Sequence, residues 1–130
     1  MRLTAAFFAN RAEIVSDMLN LEGAFWKTIT VEPDAAAFSC SIVVVCDVDE
    51  HDMGQQYEMR IDAEGPSGQR WSPAQSTVFT VEAQMMFMCV PKILLPLEPG
   101  GGFHMYTFRL DGQHERLDVP LAVRVANPSN

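Results

Sequence analysis

Nine residues, Phe38 to Cys46, alternate with a period of two and set the terms for the rest of the chain. Phe38, Cys40, Ile42, Val44 and Cys46 share one face, which is wholly apolar. Ser39, Ser41, Val43 and Val45 share the other, which is only half polar. Successive side chains of a strand point to opposite faces, so the first set must face a core. The second set is dry enough to place this strand inside a sheet rather than at its rim. The same period recurs downstream, where Tyr57, Met59 and Ile61 alternate with Gln56, Glu58, Arg60 and Asp62. No segment sustains an apolar stripe at helical spacing beyond about two turns. The chain reads as all-β.

The remaining elements follow from turn chemistry. Leu3 to Ala9 is the first predicted strand, and Ala12 to Asp17 reads as one helical turn or a short edge piece. Asn20 to Val31 follows, with Gly23 marking a bulge or a bend, before Glu32-Pro33-Asp34 turns the chain. The loop Asp47 to Gly54 leads to a half-buried strand, Gln55 to Ala63, and Gly65-Pro66-Ser67-Gly68 is a turn by composition. Thr77, Phe79 and Val81 alternate again. Phe103 to Leu110 and His114 to Val119 flank Asp111-Gly112, the two-residue signal for a type I′ hairpin. Leu121, Val123 and Val125 close the pattern. Seven to nine short strands, with turn signals about every 10 residues, predict a two-sheet antiparallel β-sandwich. With 130 residues, 48% of them hydrophobic, the chain can bury one real core. It divides into a single domain over residues 1–126 and a polar tail, 127–130.

Charge and cysteine usage narrow the partners. The net charge is -8, and the nine Lys and Arg are scattered without a cluster. Nucleic-acid binders need a basic stripe to neutralise phosphate, so no nucleic acid is expected, and anionic membranes are disfavoured for the same reason. Cys40 and Cys46 lie six residues apart in one strand, on the order of 20 Å, far beyond disulfide reach. Neither they nor Cys89 has a CxxC neighbour, so buried reduced thiols and a cytoplasmic location are expected. The apolar run Leu3 to Ala9 is at the short limit for a signal peptide and lacks a small-residue cleavage site. No run approaches the 18 or so apolar residues of a membrane span.

No catalytic constellation stands out. Asp47-Val48-Asp49-Glu50-His51-Asp52 is the densest polar cluster, and Asp47, Asp49 and Asp52 are the candidates for a weak cation site. Alternate carboxylates can converge on calcium, but the glycine and distal glutamate of an EF-hand loop are absent, and a solvated loop has the same composition. His51, His104 and His114 have no partners at i+2 or i+4, and His104 beside Phe103 reads as structural. The serines lack a Gly-x-Ser-x-Gly context, and Gly100-Gly101-Gly102 precedes a strand without the Lys-Ser/Thr of a phosphate loop. No cofactor is expected, and no enzyme.

The sharpest anomaly is apolar. Between Ala83 and Leu97 almost no polar face remains, and Lys92 is the only charge. Strict alternation cannot hide both sides of such a strand in one core. One reading is a central strand packed on both faces, or one that switches sheets at Pro91. The other is a Met-rich surface covered by another subunit, with Met85, Met86, Met88, Ile93 and Leu95 as the interface candidates.

Phe8-Ala9-Asn10-Arg11-Ala12-Glu13-Ile14, followed by Asp17-Met18-Leu19-Asn20-Leu21-Glu22-Gly23-Ala24-Phe25-Trp26, resembles the opening of a family of small uncharacterised bacterial and phage-associated proteins. That opening runs A-D-x-A-x-V, a short gap, then G-K-L-N-x-x-G-G-x-W. Pro96 to Gly102, an aromatic strand and Asp111-Gly112 are similar to the family's P-G-G-x-Y-x-W-x-L-x-V-D-G. Asn10 stands for the acid, Met18 for the basic residue, Glu22 for a glycine, and His104 where an aromatic is usual. The resemblance implies an immunoglobulin-like β-sandwich and brings no activity with it. The expected function is a non-enzymatic binding or assembly module, self-associating or bound to another protein. The alternative is a small-ligand or metal-binding sandwich using the acidic loop 47–52.

Overall fold

A computed structural model of the chain describes residues 1–82 and 87–126. These residues form nine strands: β1 (Arg2–Val15), β2 (Met18–Ala24), β3 (Thr28–Val31), β4 (Ala37–Asp47), β5 (Gln56–Glu64), β6 (Arg70–Thr80), β7 (Phe87–Pro96), β8 (Gly102–Leu110) and β9 (Arg116–Val125). One 3-10 turn, Glu50–Asp52, interrupts them. The strands make two open sheets, ordered β2-β1-β4-β7 and β3-β9-β8-β5-β6. Among the described residues no helix is long and apolar enough to cross a membrane. The predicted tail at 127–130 lies outside the described residues.

β4 runs between β1 and β7, as its two dry faces require. Phe38, Cys40, Ile42, Val44 and Cys46 enter the main core, where they meet Met59, Ile61, Ala63, Tyr106, Phe108, Leu110, Leu121 and Val123 from the other sheet. Phe8 sits at the centre, edge-on to Tyr106 at 5.5 Å and to Phe38 at 6.0 Å. Such pairs add about 0.5–1.5 kcal/mol beyond simple burial. Val43, on the opposite face of β4, is buried in a second, smaller cluster with Phe7, Ala9 and Ala12. The three cysteines are free, and burial pushes the Cys40 thiol up to about 12 and Cys46 up to about 11.

Three sequence expectations are corrected. The antiparallel pattern has one exception, since β3 pairs β9 in parallel from Thr28–Ala122 to Val31–Val125. The chain crosses from the end of β2 to the far rim of the other sheet, and so arrives running the same way as β9. Asp111-Gly112 is not a type I′ turn: residues 111–115 separate β8 from β9, Gln113 N–H donates to Leu110 O at 3.1 Å, and of the central pair only Gly112 takes positive φ. A type I′ turn needs both central residues there. Finally, Ala12 to Asp17 is neither helical nor separate, because β1 runs on to Val15 and turns directly into β2.

Loop positions are fixed by buried polar groups. With hydrogen on Nδ1, His104 donates to Gly102 O at 3.1 Å and accepts the Glu98 N–H on Nε2 at 2.9 Å. Tyr106 Oη donates to Pro96 O at 2.8 Å. Both rings are fully buried, so these bonds anchor the 97–102 loop to β8 and leave no ring nitrogen of His104 for chemistry.

Candidate functional site

The described part of the apolar segment, residues 87–97, contributes to the core with one irregularity. β7 is a rim strand of its sheet and, among the described residues, pairs only with β4. The pairing runs Val44–Met88 and Ile42–Val90, then resumes at Cys40–Ile93 and Phe38–Leu95. The shift at Pro91 and Lys92 inserts one extra residue into β7 and changes which parity faces inward. Met88 therefore points into the core before the shift, and Ile93 and Leu95 point into it after. These three residues, expected at a subunit interface, are buried inside the chain itself. Met85 and Met86 lie outside the described residues. On the outward side Lys92 is exposed, and Leu94 is 58% exposed.

The acidic loop is occupied by its own contacts. Asp47 pairs with Arg2 at 3.0 Å at the surface. Asp49 caps the 3-10 turn by accepting the His51 N–H at 2.8 Å. Asp52 is buried and accepts from Asp49 N–H at 2.9 Å, from the Met1 amine at 2.7 Å and from Tyr57 Oη. The backbone bond from Asp49, then the amine and Tyr57, hold the Asp52 carboxyl well below the usual carboxylate range. The bond to Asp52 pushes Tyr57 up to about 12. The three carboxylates thus have separate partners, and among the described residues no group of three His, Cys, Asp or Glu is placed to hold a metal ion.

The outer face of the five-stranded sheet carries a charge ladder invisible in the linear sequence. Arg60 lies directly opposite Arg109, and Arg109 directly opposite Arg116. Like charges in such positions repel. The next row offsets them, since Asp62 receives Arg109 at 3.4 Å and Arg60 at 3.8 Å, and Asp118 lies 3.8 Å from Arg116. Ser72 and Thr107 hydroxyls donate to the same two carboxylates at 3.0 and 2.9 Å. With Glu58, Glu64 and Arg70 on the flanks, acids and bases balance, and the ladder reads as structural.

The core absorbs only part of one β-ribbon. β4 stays with β1 only as far as Ala9–Ser41, whereas β1 and β2 remain paired to Val15–Met18. Residues 10–15 and 18–22 therefore continue as a two-stranded arm, whose Ala12 is still buried with Val43 and Phe7 and whose Leu19 packs against them, while its tip stands clear of β4. The turn at its tip, Ser16-Asp17, has φ of 51° and 61°, the type I′ geometry that the sequence placed elsewhere. Pairing puts Ala12, Ile14, Leu19 and Leu21 on one face, and Arg11, Glu13, Asn20 and Glu22 on the other. Ile14, Val15, Met18 and Leu21 are exposed, Met18 at 65%.

The base of the arm is tightly built. Gly23 takes φ +56°, where a Cβ would strike the Asn10 side chain. Trp26 Nε1 donates to Gly23 O at 2.6 Å, and Phe25 N–H donates to Phe8 O at 2.9 Å. Phe25 then stacks on Phe7 at 4.1 Å while remaining 67% exposed. A large ring lying over the small outer cluster extends the apolar surface from the arm onto the sheet. The sequence signal for this arm was the apolar content of residues 12–21. It was obscured by the charges at Arg11, Glu13 and Glu22 and by a turn without glycine. A scan against known protein families finds no match to the chain, and no curated protein matches it.

Proposed function

We propose that this chain is a non-enzymatic binding or assembly module that self-associates through the β1–β2 arm. The architecture we infer is the immunoglobulin-like β-sandwich of the bacterial and phage-associated proteins it resembles at Phe8–Trp26. The observation that carries the reading is the arm itself, which projects beyond β4 with Ile14, Val15, Met18 and Leu21 open to water. An isolated two-stranded ribbon is marginal in water, and a covering partner removes that weakness. Fully burying such a side chain is worth about 1.5–3 kcal/mol, so completing Ile14 and Leu21, which share a face and are already partly covered, gives about 2 kcal/mol per copy. Association costs a similar amount or more, which puts the contact in a concentration-dependent range and requires both copies to contribute.

The test is sedimentation of the wild type beside an Ile14→Ser/Met18→Ser variant. The wild type should associate as concentration rises, and the variant should stay monomeric with unchanged β-sheet circular dichroism. A variant that associates like the wild type removes the arm from the interface.

A further inference from the structure

We infer that the contact is strand addition, in which the free edge of β2 pairs antiparallel with β2 of a second copy about a two-fold axis near Asn20. The inference rests on the assembly reading above and gives it a geometry. Two open sheets have four rim strands, and a rim invites pairing unless something blocks it. β7 carries Pro91 and Lys92 at its register shift, and the carbonyl of its Leu94 is taken by Gln75 Nε2 of β6 at 3.0 Å. β6 carries Pro73 and its own register shift against β5. β3 has only four residues. β2 has seven, no proline, and no strand on its outer side among the described residues. It is the unguarded rim.

The turn fixes which backbone groups that rim offers. In a two-residue hairpin the pair flanking the turn exchanges both hydrogen bonds, and bonded and non-bonded pairs then alternate. Val15–Met18, Glu13–Asn20 and Arg11–Glu22 are therefore the bonded pairs, and Leu19 and Leu21 turn their N–H and C=O outward. An antiparallel partner centred on Asn20 sets Leu19 against the partner's Leu21, and Leu21 against its Leu19. All four outward groups of each copy are satisfied, and apolar side chains meet on the face that holds Ile14.

Charge selects the same alignment. Glu22 falls opposite Met18 of the second copy, which leaves the two Glu22 carboxylates four residues apart, about 13 Å along the strands and beyond physiological screening. A parallel, in-register pairing would bring them to about 5 Å. The segment stops at Glu22 because Gly23 leaves the extended region. The positions that must pair are thus the ones this sequence leaves free of repulsion.

The test compares Leu21→Pro with Leu21→Ala by light scattering over a concentration series. Proline deletes an outward N–H that the hairpin does not use, and alanine deletes the side chain but keeps that N–H. The expected result is a dimer for wild type, a dimer weakened several-fold for alanine, and no dimer for proline. Equal weakening by both variants would overturn strand addition while leaving the arm as interface. A wild type that stays monomeric would overturn both. If proline unfolds the chain, amide exchange of wild-type Leu19 and Leu21 decides: protection that rises with concentration supports the pairing, and unchanged protection refutes it.

Discussion

At the residue scale, Asp52 shows how a short polar cluster serves the fold. Its carboxylate is the meeting point of Asp49 N–H, the Met1 amine and Tyr57, so it joins β1, the 3-10 turn and β5. A carboxyl held below its ordinary value contributes stability above that ordinary value, near 3.9, and loses it as pH falls through the folded value. Asp52→Asn should therefore lower the melting temperature at pH 7, and the difference from wild type should shrink below about pH 4. A gap that is the same at pH 7 and pH 3 would mean that ionisation of Asp52 is not what matters. Tyr57 acts in the opposite sense, its bond to Asp52 being present at neutral pH and lost as pH rises through about 12.

At the scale of elements, legibility depended on unbroken parity. Phe38 to Cys46 could be read because every inward residue keeps the same phase over the whole strand. β7 could not, because the shift at Pro91 and Lys92 makes Met88 and Leu95 share a core although their spacing is odd. That phase change is testable with neighbours. Leu95→Ser should cost about 3 kcal/mol or more by opening a cavity and burying a hydroxyl, whereas Leu94→Ser on the outer side should cost under about 0.5 kcal/mol. Equal losses in urea titrations would place the shift elsewhere. The turn at Ser16-Asp17 was missed for a different reason: it holds two non-glycine residues in the left-handed region, where Asn-Gly is preferred. Replacing the pair by Asn-Gly should raise stability by about 0.5–1 kcal/mol without altering the pairing of β1 with β2. No gain would argue against the type I′ geometry.

At the scale of the whole molecule, the two sheets distribute their faces unevenly. The five-stranded sheet turns a balanced charge ladder outward at Arg60, Asp62, Arg109 and Asp118, which suits contact with water. The four-stranded sheet turns Phe7, Val43 and Cys89 outward beneath Phe25 and continues into the apolar arm. An all-β chain with dry strands was plain from the sequence. Which dry residues stay uncovered was not, because that depends on where β4 stops and where β7 changes phase. Of the residues expected at an interface, Met88, Ile93 and Leu95 belong to the core, whereas Ile14, Val15, Met18, Leu21 and Phe25 are open to water.

The most direct measurement is small-angle scattering from the unmodified protein over at least a hundredfold range of concentration. The account predicts that forward scattering per unit mass rises toward twice the monomer value. The maximum dimension should also grow as for two molecules joined along the β2 edges of their arms. Scattering that stays at the monomer value throughout would contradict it.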